Sequence, residues 1–127
     1  METIEVKMLH LPMKKKWYDM IASGEKKEEY RELTPYWAKR LLWDDDYDEP
    51  PGDLEAHMEP NLLWNAVFCG SFKFRDFSHV HFTRGYPRKD DTARHMVRKI
   101  KEMVITAGRP EWGAEIGKEY FVIRFED

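Results

Sequence analysis

Apolar and polar residues alternate over residues 4–12 (IEVKMLHLP). Ile4, Val6, Met8 and His10 fall on one side, and Glu5, Lys7, Leu9 and Leu11 on the other. A period of two predicts a strand, with Pro12 expected to end it because proline has no N–H for a ladder. The period then changes. Over residues 13–23, Met13, Trp17, Met20 and Ile21 share a helical face, and Gly24 follows as a helix stop. The next run, KKEEYREL, reads as extended, with Glu29 and Arg31 on one side and Tyr30 on the other. Thr34 has the chemistry of an N-cap and Pro35 that of a first helical residue, so a second helix is predicted over 35–43.

Further along, residues 62–68 (LLWNAVF) are apolar without a period, and strand and short helix both fit. Phe72 and Phe74, then Val80 and Phe82, alternate through one or two strands that end at Gly85. Residues 94–105 (RHMVRKIKEMVI) carry helical spacing at Met96, Val97, Ile100, Met103 and Val104, with Arg94, Arg98, Lys99 and Lys101 on a wet face. An extended reading of the same residues is also open. The segment KEYFVIRFE is the clearest strand in the chain, with Tyr120, Val122 and Arg124 alternating against Phe121, Ile123 and Phe125. Strands at both ends and in the middle, with two early helices, predict an α+β domain built on a small mixed sheet closed into a barrel.

The length of 127 residues is that of one domain, and 42% apolar residues suffice for one core. No apolar run approaches the roughly 18–20 residues of a membrane helix, and the Lys cluster at 14–16 follows the first apolar residues, unlike a secretory leader. Cys69 stands alone, which excludes an internal disulfide and a cysteine zinc site. It is expected to be buried between Phe68 and Gly70, and a reducing, cytoplasmic setting fits. Lys and Arg number 21 against 24 Asp and Glu, so a wholly basic nucleic-acid wrap is excluded while a local basic patch is not. The charge is unevenly placed. Residues 44–60 hold eight acids and no Lys or Arg, whereas residues 84–102 hold seven Lys and Arg against three acids. The acidic stretch, with two prolines and a glycine in its middle, is expected to be a solvated surface insertion or a lid over a basic site.

The densest chemical signal is Gly24-Glu25-Lys26-Lys27-Glu28-Glu29-Tyr30-Arg31. Glu29 and Arg31, two apart on a strand, can form a surface ion pair of small worth. They can equally line a cleft in which Arg31 donates and Glu29 accepts a proton or a base amino group. A second signal interleaves aromatic and basic residues at Tyr36, Trp37 and Arg40 and again at Arg84 and Tyr86. Bases stack on aromatic rings and phosphates meet Arg and Lys, although Tyr36 and Trp37 also fit a core. The five histidines, His10, His57, His79, His81 and His95, come without a recognised ligand spacing, so no metal and no cofactor are expected.

The run Gly24-x-Lys26-x-x-Glu29-x-Arg31, after a strand and a short amphipathic helix, resembles the ASCH domain, a family of the PUA-like superfamily. Tyr30-Arg31-Glu32, Pro35-Tyr36-Trp37, Arg40-Leu41, Gly85-Tyr86, Glu111-Trp112-Gly113 and Tyr120-Phe121-Val122-Ile123 look like the small phage and bacterial single-domain branch. The resemblance covers nearly the whole chain apart from 44–60. It implies a mixed β-barrel of about five or six strands with short helices packed across it, and an extended 95–105. It further implies a cleft lined by Gly24, Lys26, Glu29 and Arg31 and edged by Tyr36, Trp37, Arg40, Arg84 and Tyr86, taking RNA or a nucleobase or nucleoside. Some small members of the family hydrolyse 4-acetylcytidine, using the motif Lys and a Thr three residues later. Glu29 holds that position here, and a carboxylate serves as a general base to water rather than as a hydroxyl nucleophile. The alternative reading is therefore a metal-independent hydrolase of a modified nucleoside or an RNA phosphodiester, with Lys26 and Glu29 catalytic.

Overall fold

The computed structural model describes residues 6–52, 63, 65–67 and 69–126. Its elements are β1 (Met8–Met13), α1 (Lys15–Ala22), β2 (Glu28–Glu32), α2 (Pro35–Leu41), β3 (Leu42–Asp44), β4 (Phe72–Phe74), β5 (His79–Arg84), β6 (His95–Ala107) and β7 (Glu119–Phe125). Five strands form one sheet in the order β1-β5-β6-β7-β2, and β3 pairs with β4 in a separate ribbon. The large sheet is mixed, because β1 runs parallel to β5 while the other pairs are antiparallel. It curls into a half-barrel, and the architecture is α+β.

The curl originates in β6. Its first half pairs with β5 and its second half with β7, with a shift of register between Ile100 and Glu102. A bulge adds a residue to one strand and bends it. It also changes which residues face inward. Before the bulge the inward positions are Met96 and Ile100, and after it Met103 and Ile105. This change of parity produces the helical spacing seen in the sequence, and the strand, not the helix, is what forms.

Four further expectations are corrected. Pro12 does not end β1, which continues to Met13. β1 is an edge strand, where a missing ladder donor is tolerated. Met13 thus belongs to β1, and α1 begins only at Lys15. Helix α2 stops at Leu41 rather than at residue 43, since Leu42 turns extended (φ −112°, ψ 160°) and starts β3. The predicted start of α2 is as expected, with Thr34 accepting a hydrogen bond from the Trp37 N–H and Pro35 in the first turn. Cys69 is exposed, not buried. Residues 63 and 65–67 are helical.

The main core lies between the concave face of the sheet and the helices. Leu9 and Leu11, Ile21, Leu41 and Leu42, Val80 and Phe82, and Phe121, Ile123 and Phe125 meet there. The opposite face of β7 packs Tyr120 and Val122 against Ala114, Tyr30 and Val104. β7 is therefore covered on both faces, which is why it reads as almost continuously apolar. Among the described residues no helix is long and apolar enough to cross a membrane. Of the acidic stretch, residues 44–52 form turns tied by Asp44, which accepts from the Asp46 and Tyr47 N–H groups. Residues 53–60, the rest of the stretch expected at 44–60 to form an insertion or a lid, lie outside the described residues.

Candidate functional site

Helix α1 ends in a turn that only a particular backbone allows. Gly24 has φ +85°, a region L side chains rarely adopt. Its N–H donates to Ile21 O at 3.1 Å, and the Lys26 N–H donates to Met20 O at 3.0 Å. The chain is thereby folded back so that Lys26 points inward and β2 begins two residues later. β2 pairs with β7, placing Glu29 opposite Ile123 and Arg31 opposite Phe121. Glu29 and Arg31 thus share a face, as the alternation predicted.

Lys26, Glu29 and Arg31 form a ladder of charges. Lys26 is 1% exposed, and its Nζ donates to Glu29 Oε1 at 3.1 Å and to Trp112 O at 2.6 Å. The same ammonium lies 4.8 Å from the centroid of the Trp17 ring and 5.0 Å from that of Tyr30. Burial pushes the Lys26 pKa below its ordinary value, and the Glu29 carboxylate pulls it back in part. Glu29 also accepts from the Tyr30 N–H at 3.0 Å and, through Oε2, from Arg31 Nη2 at 3.1 Å. Arg31 Nη2 reaches Pro12 O at 3.2 Å. Its guanidinium carbon is 5.0 Å from the Trp37 ring centroid. Arg31 Nε is buried and has no hydrogen-bond partner among the described residues. These contacts exclude the exposed ion pair considered for Glu29 and Arg31, because Glu29 is 6% exposed.

The ladder lies in the wall of an open cleft of about 1180 Å³. Tyr36, Trp37, Arg40, Arg84 and Tyr86 line the same cleft, so the structure brings together every site residue expected from the sequence except Gly24. Gly24 borders a neighbouring hollow with Lys27, Arg98 and Lys99, which Lys26 also touches. Tyr36 is 54% exposed, its ring meets Trp37 edge-on at 5.0 Å, and Arg40 lies over it at 3.3 Å. The core side of α2 is Ala38 and Leu41, with Trp37 half-buried against the core as well, while Tyr36 stays outside it. Arg84 is held 3.9 Å from Asp19, and Tyr86 projects almost free at 93% exposure.

Sequence reasoning missed part of the wall. Trp17, Trp112, Gly113 and His10 line the cleft as well. Gly113 has φ +104°, and a Cβ there would sit 2.9 Å from the Trp17 ring, so the glycine lets the ring lie over Lys26. The run Glu-Trp-Gly at 111–113 carried the signal, but nothing local says which ring it admits. Among the described residues no group of three or more His, Cys, Asp or Glu is arranged to hold a metal ion. His57 lies outside the described residues.

Set against protein-family models, curated proteins and solved structures, the chain matches none of them.

Proposed function

We propose that the chain is an ASCH-type, PUA-like domain whose cleft recognises a nucleobase, either in a nucleoside or in single-stranded RNA, in the cytoplasm. The observation that carries the reading is Arg31. Its guanidinium, 18% exposed in the wall of the cleft, stands beside a carboxylate fixed on both sides by cations. Glu29 accepts three hydrogen bonds within the protein and has capacity for a fourth. A donor next to an acceptor is what the edge of a base requires. Tyr36 and Trp37 supply faces for stacking, and Arg40 and Arg84 supply charge for phosphate. The Gly24-x-Lys26-x-x-Glu29-x-Arg31 run and the curled mixed sheet both agree with the family reading.

Lys26 takes a supporting role in this scheme. Its ammonium lies against the Trp17 and Tyr30 rings, donates to the Trp112 carbonyl oxygen and neutralises Glu29 from behind. The hydrolase reading draws on the same 3.1 Å contact, with Glu29 as base to water and Lys26 as electrostatic partner. The openness of the cleft and the burial of Lys26 favour binding.

Titration of fluorescent oligonucleotides of each base, and of nucleosides by calorimetry, at low salt tests the reading. One base is expected to bind best, with affinity falling as salt rises and falling again in Arg31→Ala. Absence of binding to every oligonucleotide and nucleoside overturns it. Turnover of an acylated nucleoside or an RNA that is lost in Lys26→Ala and Glu29→Gln would establish the hydrolase instead.

A further inference from the structure

Three histidines from three strands stand in line on the outer face of the sheet. His10 alternates with buried Leu9 and Leu11 on β1, and His81 with buried Val80 and Phe82 on β5. The two are register partners, and His95 opens β6 beside them. His10 Nδ1 is 2.9 Å from His81 Nδ1, and His81 Nε2 is 2.9 Å from His95 Nδ1. His95 Nε2 is 2.8 Å from the Arg88 carbonyl oxygen.

That last contact orders the whole row. A carbonyl only accepts, so His95 Nε2 carries a proton. In neutral His95 the Nδ1 is then a lone pair, and it accepts from His81 Nε2–H. His81 Nδ1 is in turn a lone pair and accepts from His10 Nδ1–H. With all three rings neutral, the free nitrogen of the row among the described residues is His10 Nε2. It is unprotonated, and His10 lines the cleft together with Lys14, Arg84 and Arg94.

The proton count follows. Each gap between rings holds one proton, and the Arg88 end holds one. One further proton can join His10 Nε2 without breaking a bond. His10 Nδ1–H can then pass its proton to His81 Nδ1, and His81 Nε2–H can pass its proton to His95 Nδ1. After both transfers His10 and His81 are neutral and His95 is the imidazolium, still donating to Arg88. A second extra proton would put two protons in one gap and break a ring–ring bond.

The charges around the row leave this behaviour intact. Arg94 beside His95 is paired with Asp91 at 3.3 Å, Arg84 faces Asp19 at 3.9 Å, and His79 bonds to Ser78 Oγ at 2.8 Å. The ionisable groups acting on His81 are His10 and His95, so no carboxylate pins the charge at the middle ring. Burial and these two neighbours push His81 below the ordinary imidazole value, which moves the charge to the ends of the row.

We propose that His10, His81 and His95 form a one-proton relay that opens on the cleft at His10 Nε2 and supplies it with an ionisable charge for a ligand phosphate. The ligand half rests on reading the cleft as a binding site; the relay itself does not.

Nitrogen-resolved NMR of the histidine rings tests both halves. At pH 8 the expected tautomers are Nδ1–H on His10 and Nε2–H on His81 and His95. Between pH 8 and 5 all three rings should respond to one shared first proton. His95→Ala, outside the residues that line the cleft, should release His10 to the usual Nε2–H form. Nε2–H on His10 of the unaltered chain, or three independent titrations, overturns the relay. Sulfate then serves as a phosphate-like dianion that does not titrate in this range. Against chloride at equal ionic strength it should raise the shared midpoint by about half a pH unit, a roughly threefold gain in proton affinity. A midpoint that sulfate leaves in place overturns the role in the cleft. Failure of oligonucleotides to bind would overturn the nucleobase reading and would change neither of these results.

Discussion

Two rows of polar side chains cross this sheet, and they handle charge in opposite ways. On β2 and the turn before it, Lys26, Glu29 and Arg31 are ionised and largely buried, with Glu29 held between two cations. On β1, β5 and β6, His10, His81 and His95 have no partner of opposite charge among the described residues and lie nearer to solvent. The first row has little freedom to change its charge, because neutralising any member strands another in a low dielectric. The second can gain a proton and keep every hydrogen bond. A fixed set of charges suits recognition of a donor–acceptor pattern, and a variable one suits adjustment to an anion.

Removing one member of each row is the strongest test of that contrast. Lys26→Met leaves the Glu29 carboxylate buried with one cation fewer, and should cost about 3–5 kcal/mol in urea unfolding at pH 7. His81→Phe keeps the ring volume and should cost less than about 1 kcal/mol, since each neighbouring ring can turn to water. Equal losses would erase the distinction.

The packing that buries Lys26 gives the next largest effect. Gly113→Ala places a methyl group 2.9 Å from the Trp17 ring at a φ of +104°. A loss of about 2 kcal/mol is expected from strain and overpacking together. Trp17 should move off the ammonium, which a change in tryptophan emission would report.

Arg31→Ala sharpens the binding side of the comparison. It removes a guanidinium from the cleft wall and one cation from Glu29, and should weaken oligonucleotide affinity about tenfold, on the scale of a charge-assisted hydrogen bond. An unchanged affinity would take Arg31 out of the interface.

Tyr30 gives the smallest effect and a pH test. Its hydroxyl donates to Glu28 Oε1 at 2.8 Å and accepts from the Arg109 N–H at 2.9 Å. Tyr30→Phe should cost about 1 kcal/mol near neutral pH. Burial, with Glu28 assisting, raises the phenol above its ordinary 10.0, so above that pH the unfolded chain ionises first and stability falls as pH rises. Lys26 has the opposite sign. Its lowered value means that, just below the ordinary 10.5, the unfolded chain holds the proton more tightly, and rising pH favours the folded chain. Unfolding curves at pH 9 and 11 should therefore show less alkaline loss in Tyr30→Phe than in the unaltered protein. Equal loss would remove Tyr30 from the alkaline response.

The sequence by itself determined the local elements whose signals are short-ranged. Thr34 and Pro35 started α2 because a cap needs only its own three following residues. Gly24 turned the chain because its backbone conformation is intrinsic to the residue. The alternation of Glu29, Tyr30 and Arg31 gave their faces correctly, since the pleat fixes it. Burial was another matter. Whether Glu29 and Arg31 met water or a cleft depended on Trp17, Trp37 and Trp112, which come from α1, from α2 and from the turn before β7. The bulge in β6 changed the inward parity and disguised a strand as a helix, a signal that only pairing on both sides could correct. The histidine row was invisible for the same reason. His10 and His95 are 85 positions apart in the numbering, and a hydrogen-bonded chain of rings exists only once the sheet has set β1, β5 and β6 side by side. Spacing encodes what a residue's neighbours in sequence can decide; the sharing of protons and charge across strands is decided by distance in space.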